Sequence, residues 1–81
     1  MRLRVQFFSQ LKEIVGGGEV ALDLPAGATV ADLVAQLYRA YPALEKWEHN
    51  LLLGVGVEFV GRDYVLQPND EIAVMPPVQG G

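Results

Sequence analysis

Leu3, Val5 and Phe7 alternate with Arg2, Arg4 and Gln6, the period-two pattern of a strand with one face buried and one in water. Ser9 offers a side-chain oxygen to cap a short helical stretch over Gln10–Val15, and Gly16, Gly17 and Gly18 stop it. Val20, Leu22 and Leu24 then alternate with Glu19, Ala21 and Asp23, which predicts a second strand antiparallel to the first. Thr29, followed three positions later by Asp32, is a variant of the capping box. Beyond it Val30, Leu33, Val34, Leu37 and Tyr41 recur at helical spacing on one face. The main helix is therefore expected from Val30 to about Ala40, because Pro42 disfavours helical geometry at Tyr41.

An irregular crossover is expected from Ala43 to Asn50. Leu51, Leu52, Leu53, Val55 and Val57 form a nearly unbroken apolar run, which reads as an interior strand, with Glu58–Val60 as a short companion. Turns are expected at Gly61–Asp63 and at Gln67–Asp70, where Pro68 presets one φ angle. The last strand runs from Glu71 to Met75, and Pro76 and Pro77 remove two backbone donors in succession. Strand, strand, helix, strand, short strand, strand, with one amphipathic helix, describes an α+β roll in which a single sheet face is covered.

By alternation Ile72 and Val74 point into the core, while Glu71, Ala73 and Met75 point away from it. Phe59 falls on the non-core phase as well. Adjacent strand residues face opposite ways, so one of Phe7 and Phe8 must be outside, and the pattern favours Phe8. Aromatic and methionine side chains exposed together suit the centre of a protein interface.

Length then limits what such a fold can do. At 81 residues there is material for one core and none for an enclosed catalytic cavity. A net charge of -4, from 10 acidic and 6 basic residues, disfavours nucleic acid and anionic membranes as partners. The absence of cysteine excludes a disulfide framework, a thiolate metal site and a cysteine nucleophile. No apolar run approaches the ~20 residues of a membrane span, and the N-terminus lacks a signal peptide's apolar block. A cytoplasmic location is the expectation.

Candidates for chemistry in the body of the chain are weak. His49 is the single histidine, with Glu45 and Glu48 within a helical turn, but three ligands on a short exposed segment would lack supporting hydrogen bonds. Gly16–Gly18 are not followed by the Lys-Ser/Thr of a phosphate loop, and Gly54 and Gly56 read as a bulge or a bend into the next hairpin. Trp47 and Tyr38 read as packing residues. No nucleophile stands beside a base, so no catalytic side chain is expected and no bound cofactor or metal.

The C-terminal segment Pro76, Pro77, Val78, Gln79, Gly80, Gly81 is the informative feature. It can extend about 19 Å beyond the last strand at 3.1 to 3.3 Å per residue. Two prolines stiffen its base and project it away from the fold, while two glycines leave its tip flexible and free of side chains, able to enter a narrow channel in another protein. The functional group at Gly81 is an unhindered α-carboxylate, which is inert to nucleophiles until ATP converts it to an acyl adenylate. The chain divides accordingly into a domain over 1–75 and a tail over 76–81.

Val5, Gln6, Phe7, Phe8 and Ser9, then Leu11, Glu13 and Gly16, resemble the MoaD-type sulfur-carrier family, the small subunits of molybdopterin synthase within the wider ThiS/MoaD superfamily. So do Asp70, Glu71, Ile72, Ala73, Val74 and the ending Met75-Pro76-Pro77-Val78-Gln79-Gly80-Gly81. The resemblance covers essentially the whole chain. It implies a ubiquitin-like β-grasp with a mixed sheet of about five strands. It also implies that an activating enzyme adenylates Gly81 with ATP, that a sulfurtransferase converts it to a thiocarboxylate, and that Pro76 to Gly80 thread into the larger synthase subunit. There sulfur passes to cyclic pyranopterin monophosphate, and the catalytic side chains belong to the partner, which Phe8, Phe59 and Met75 would bind. Two positions depart from the family pattern: Gly56 stands where asparagine is frequent, and Asn69 where glycine is usual. Asparagine tolerates left-handed backbone, whereas the change at 56 leaves the pathway open. A carrier for tRNA or thiamine thiolation, or a ubiquitin-like modifier, shares the same tail logic.

Overall fold

The computed structural model describes residues 1–77. Strand β1 (Arg2–Phe7) leads through the short helix α1 (Leu11–Val15) into β2 (Glu19–Asp23), followed by the main helix α2 (Val30–Ala40). A 3-10 segment (Pro42–Trp47) then precedes β3 (Leu52–Val55), β4 (Glu58–Phe59) and β5 (Glu71–Met75). The five strands form one sheet in the order β2-β1-β5-β3-β4. First and last strands lie side by side and parallel at its centre, and the remaining pairings are antiparallel. Val5 sits opposite Val20 on one side and Ile72 on the other.

One face of the sheet is closed. Leu3, Val5, Phe7, Leu53, Ile72 and Val74 form a single cluster with Val30, Leu33, Val34 and Leu37 of α2, each at most 5% exposed. The helix begins as its sequence dictates: Thr29 N donates to Asp32 Oδ2 at 2.9 Å, and Asp32 N donates to Thr29 Oγ1 at 3.3 Å. Two further N–H groups of its first turn are met from a distance, Val30 N by the Tyr64 carbonyl and Ala31 N by that of Arg62, both at 2.9 Å. The long β4–β5 connection is thereby tied to the helix start, satisfying donors that no intrahelical carbonyl reaches.

Two local expectations are corrected. Ser9 does not cap α1: it has φ 54, and the turn starts on main-chain carbonyls, Leu11 N donating to Phe8 O and Lys12 N to Ser9 O. Left-handed backbone at Ser9 lets the chain leave the strand at Phe8 and curl at once, which takes the hydroxyl away from the cap. Gly16 ends the helix at φ 78, where its missing Cβ removes the steric cost. The crossover after Pro42 is also more regular than expected, since Pro42–Trp47 wind as a 3-10 helix that buries Leu44 and packs Trp47 against the core. Proline at its first position lacks only a donor that would be free there in any case.

This segment is braced on the helix side of the molecule. The Tyr38 hydroxyl donates to Glu48 Oε1, and Arg62 Nη2 donates to Glu48 Oε1 at 3.3 Å and to the Glu48 carbonyl at 3.2 Å. Burial, and then the hydrogen bond to Glu48, push the Tyr38 phenol up to about 12, while the bonds from Tyr38 and then Arg62 hold the Glu48 carboxyl below the usual carboxylate range. The signs are opposite. Stability from Tyr38 is present below its ordinary value of 10.0 and lost as pH rises toward 12; that from Glu48 is present above the ordinary carboxylate range and lost as pH falls through its depressed value. In Tyr38→Phe, the latest phase of the alkaline phenol absorbance titration should vanish and the Glu48 carboxyl, followed by carbon-13 NMR, should titrate at higher pH. An unmoved Glu48 would show that the brace does not form.

Candidate functional site

Among the described residues no helix covers the second sheet face, and strand alternation decides what it shows. Phe7 turns into the core at 1% exposure, so Phe8 turns out at 40%. On β5, Ile72 and Val74 are buried and Ala73 and Met75 lie on the open side. Register then assembles a row across four strands: Gln6 opposite Ala73, Ala73 opposite Gly54, and Gly54 opposite Phe59. Met75 pairs with Leu52 one step nearer the end of β5. Phe8, Phe59 and Met75, predicted separately from three strands, thus line one groove of about 260 Å³ with Gly54 and Ala73 on its floor.

Met75 is half-buried rather than exposed, a correction with a local cause. A Cβ on Gly54 would lie 3.5 Å from Met75 Cε and 3.8 Å from Ala73 Cβ. The methionine therefore lies over Gly54, within ordinary contact distance of where a Cβ would stand. Gly54 is correspondingly no bulge: it sits in regular register between Ala73 and Phe59, with Met75 lying over it. Residue type alone did not reveal this, although a glycine within an apolar strand opposite a small residue was the available signal. Phe59 stands at 70% exposure on the far wall.

At the other end of the face, Gly56 turns the β3–β4 hairpin with φ 62, and Asn69 takes φ 74 in the loop before β5. The left-handed backbone at Asn69 explains why asparagine can stand where glycine is usual. Its turn is pinned by Asp70, whose Oδ2 accepts from Gln67 N at 2.8 Å and from the Tyr64 hydroxyl at 3.1 Å. That bond from Tyr64 raises the phenol's pKa.

Among the described residues no group of three His, Asp or Glu side chains could hold a metal ion, and Glu48, once weighed with Glu45 and His49, is engaged by Tyr38 and Arg62. No helix among those residues is long and apolar enough to cross a membrane. Pro76 and Pro77 follow β5 without regular structure and are half-buried, so the base of the tail does not stand clear of the domain as expected. Val78, Gln79, Gly80 and Gly81 lie outside the described residues.

The sequence model of the ThiS family fits residues 5–81. The chain belongs to the ThiS family. Several relatives bear the name molybdopterin synthase sulfur carrier subunit, among them those of Escherichia coli and Dictyostelium discoideum. That of Escherichia coli is 39% identical, matched over 98% of this chain and 99% of its own length. That of Dictyostelium discoideum is 34% identical, over 99% and 96%. Small archaeal modifier protein 1 of Haloferax volcanii is 33% identical over 94% of this chain and 97% of its own length. Its crystal structure superposes with a TM-score of 0.88 at 28% identity, each chain covered completely. The fold of this ThiS-family chain is accordingly the ubiquitin-like β-grasp.

The groove floor gives a direct check. Contacts of 3.5 Å and more around a new Cβ are ordinary, so Gly54→Ala should unfold within about 0.5 kcal/mol of the parent. The ε-methyl resonance of Met75 should nevertheless shift, and an unmoved methyl would place Met75 elsewhere.

Proposed function

We infer that this chain is the sulfur carrier subunit of a molybdopterin synthase and contributes a main-chain carboxylate rather than catalytic side chains. One observation carries the reading. Sulfur carrier subunits match it over nearly their whole length, and the family match runs through Gly81. An apolar groove on the sheet face next to the strand that leads into the tail fits the same reading, because a partner that receives the tail needs a surface on which to settle.

The chemistry follows from the carboxylate. An oxygen of Gly81 attacks the α-phosphorus of ATP on an activating enzyme, and pyrophosphate leaves. The resulting mixed anhydride has AMP as its leaving group; the outer sulfur of a persulfide on a sulfurtransferase displaces it, and a thiol then cleaves the acyl disulfide so formed, leaving the thiocarboxylate on Gly81 and a disulfide on the sulfurtransferase. The thiocarboxylate then gives its sulfur to cyclic pyranopterin monophosphate in the larger subunit, with Pro76, Pro77, Val78, Gln79 and Gly80 as the threading segment. Phe8, Phe59 and Met75 form the docking surface beside it. The domain is assigned to 1–75 and the tail to 76–81. ATP is consumed by the activating partner, no cofactor is held by this chain, and the cytoplasm is where the cycle runs.

A second reading has specific support. The likeness to small archaeal modifier protein 1 favours transfer of the same activated carboxylate to a lysine amine. The two fates differ in mass and in product. After incubation with activating enzyme, ATP and a sulfur donor, mass spectrometry should find one oxygen of Gly81 exchanged for sulfur, and the loaded chain should yield molybdopterin with the larger subunit and precursor. An isopeptide to lysine instead selects the modifier. A thiocarboxylate that gives no molybdopterin selects a thiamine or tRNA pathway. A chain extended by one residue after Gly81 should not be loaded. Met75→Asp should weaken binding to the larger subunit by tenfold or more while lowering folding stability by less than about 1 kcal/mol, since it lies on the open face; a large fall in melting temperature would make it core.

A further inference from the structure

Val57 is the most exposed large apolar side chain among the described residues, at 102% against 70% for Phe59 and 40% for Phe8. Folding does not require it. Gly56 already takes the positive φ of the two-residue turn, so position 57 could hold a polar residue, as hairpin turns usually do. A β-branched apolar residue there belongs instead to a strand or to a contact. Val57 also lines the same groove as Phe8, Phe59 and Met75, so the apolar surface is continuous from the root of the tail to the tip of the hairpin.

Dimensions indicate what this continuity serves. From β1 to β4 the groove crosses three strand spacings, about 14 Å, and from Leu52, opposite Met75, to Val55 at the end of β3 the chain rises about 10 Å, with Val57 beyond it in the turn. Over the strands the footprint is about 140 Å², whereas a stable complex buries about 800 Å² on each partner. Two copies meeting through this face would bury only that footprint each, which is too little. A protein that also takes up the tail gains the missing area from residues 76–81 and from the groove rim.

We propose that Val57, at the tip of the β3–β4 hairpin, is a second docking point that enters an apolar socket on the protein receiving the tail. With Met75 it fixes the carrier's orientation at two points, one at each end of β3. One point leaves a partner free to swivel about the tail, and two do not. The inference rests on the carrier reading above.

Affinity for the larger synthase subunit, measured by calorimetry for the parent, Val57→Ser and Met75→Asp, separates the two ideas. Val57→Ser should bind about tenfold more weakly, the effect of removing one buried valine-sized contact, with an unchanged melting temperature because the side chain is fully exposed among the described residues. If Val57→Ser binds like the parent while Met75→Asp is impaired, the hairpin proposal is overturned and the carrier reading stands. A parent that does not bind at all overturns both. Concentration-dependent dimerisation of the parent that disappears in Val57→Ser would assign the tip to a second copy and overturn the proposal.

Discussion

The structure depends on the central pairing of β1 with β5, made from the two ends of the folded domain. It is the one parallel pairing among the described strands, and it cannot be closed by a short turn. Nearly the whole chain is spent on the connection, which must carry the covering helix on its way. That requirement leaves material for one helix of useful length, α2, and hence for one covered face. The open face is thus a consequence of chain economy, and the tail emerges beside it because the strand that completes the sheet is also the last.

Placing β5 centrally has a second effect. A chain leaving an edge strand would start at the rim of the molecule, whereas the segment after Met75 starts between β1 and β3, flanked by Phe8 and Leu52. A partner following it must pass over the open face. The groove is therefore positioned by topology, and its apolar character by the identity of three outward residues on three strands. Neither the helix nor the core residues contribute to its surface, so its composition can change with little effect on folding.

Much of this was legible in the amino-acid pattern. Alternation placed Phe8 outside and Phe7 inside, the Thr29–Asp32 pair set the helix start, and Pro42 set its end; α2 and β5 have the bounds that these signals imply. The failures share one origin: they concern residues whose role depends on a neighbour far along the chain. Gly54 looks like a conformational residue until Met75, 21 positions later in the chain, is found lying across it. The helical winding of Pro42–Trp47 is stabilised by burial of Leu44 and by Glu48 bonding to Tyr38 and Arg62, partners that no local window contains. Ser9 has the residue type of a cap but not the backbone, since the strand must end one residue earlier.

The distribution of titratable groups separates folding from docking. Tyr38, Glu48 and Arg62 cluster on the helix side, and the groove is lined by Phe8, Phe59, Ala73 and Met75 together with Gln6 of β1 and Glu58 of β4. Protonating Glu48 loosens the bracing of the crossover without altering any charge in the groove floor. An interface centred on uncharged side chains holds with little dependence on salt, whereas the net charge of -4 acts at long range on the rate of encounter. For a carrier that must leave one protein and find another, such a division is useful. Surface charge adjusts how often partners meet, and the apolar groove, with a tail that only some of them admit, determines which encounters last.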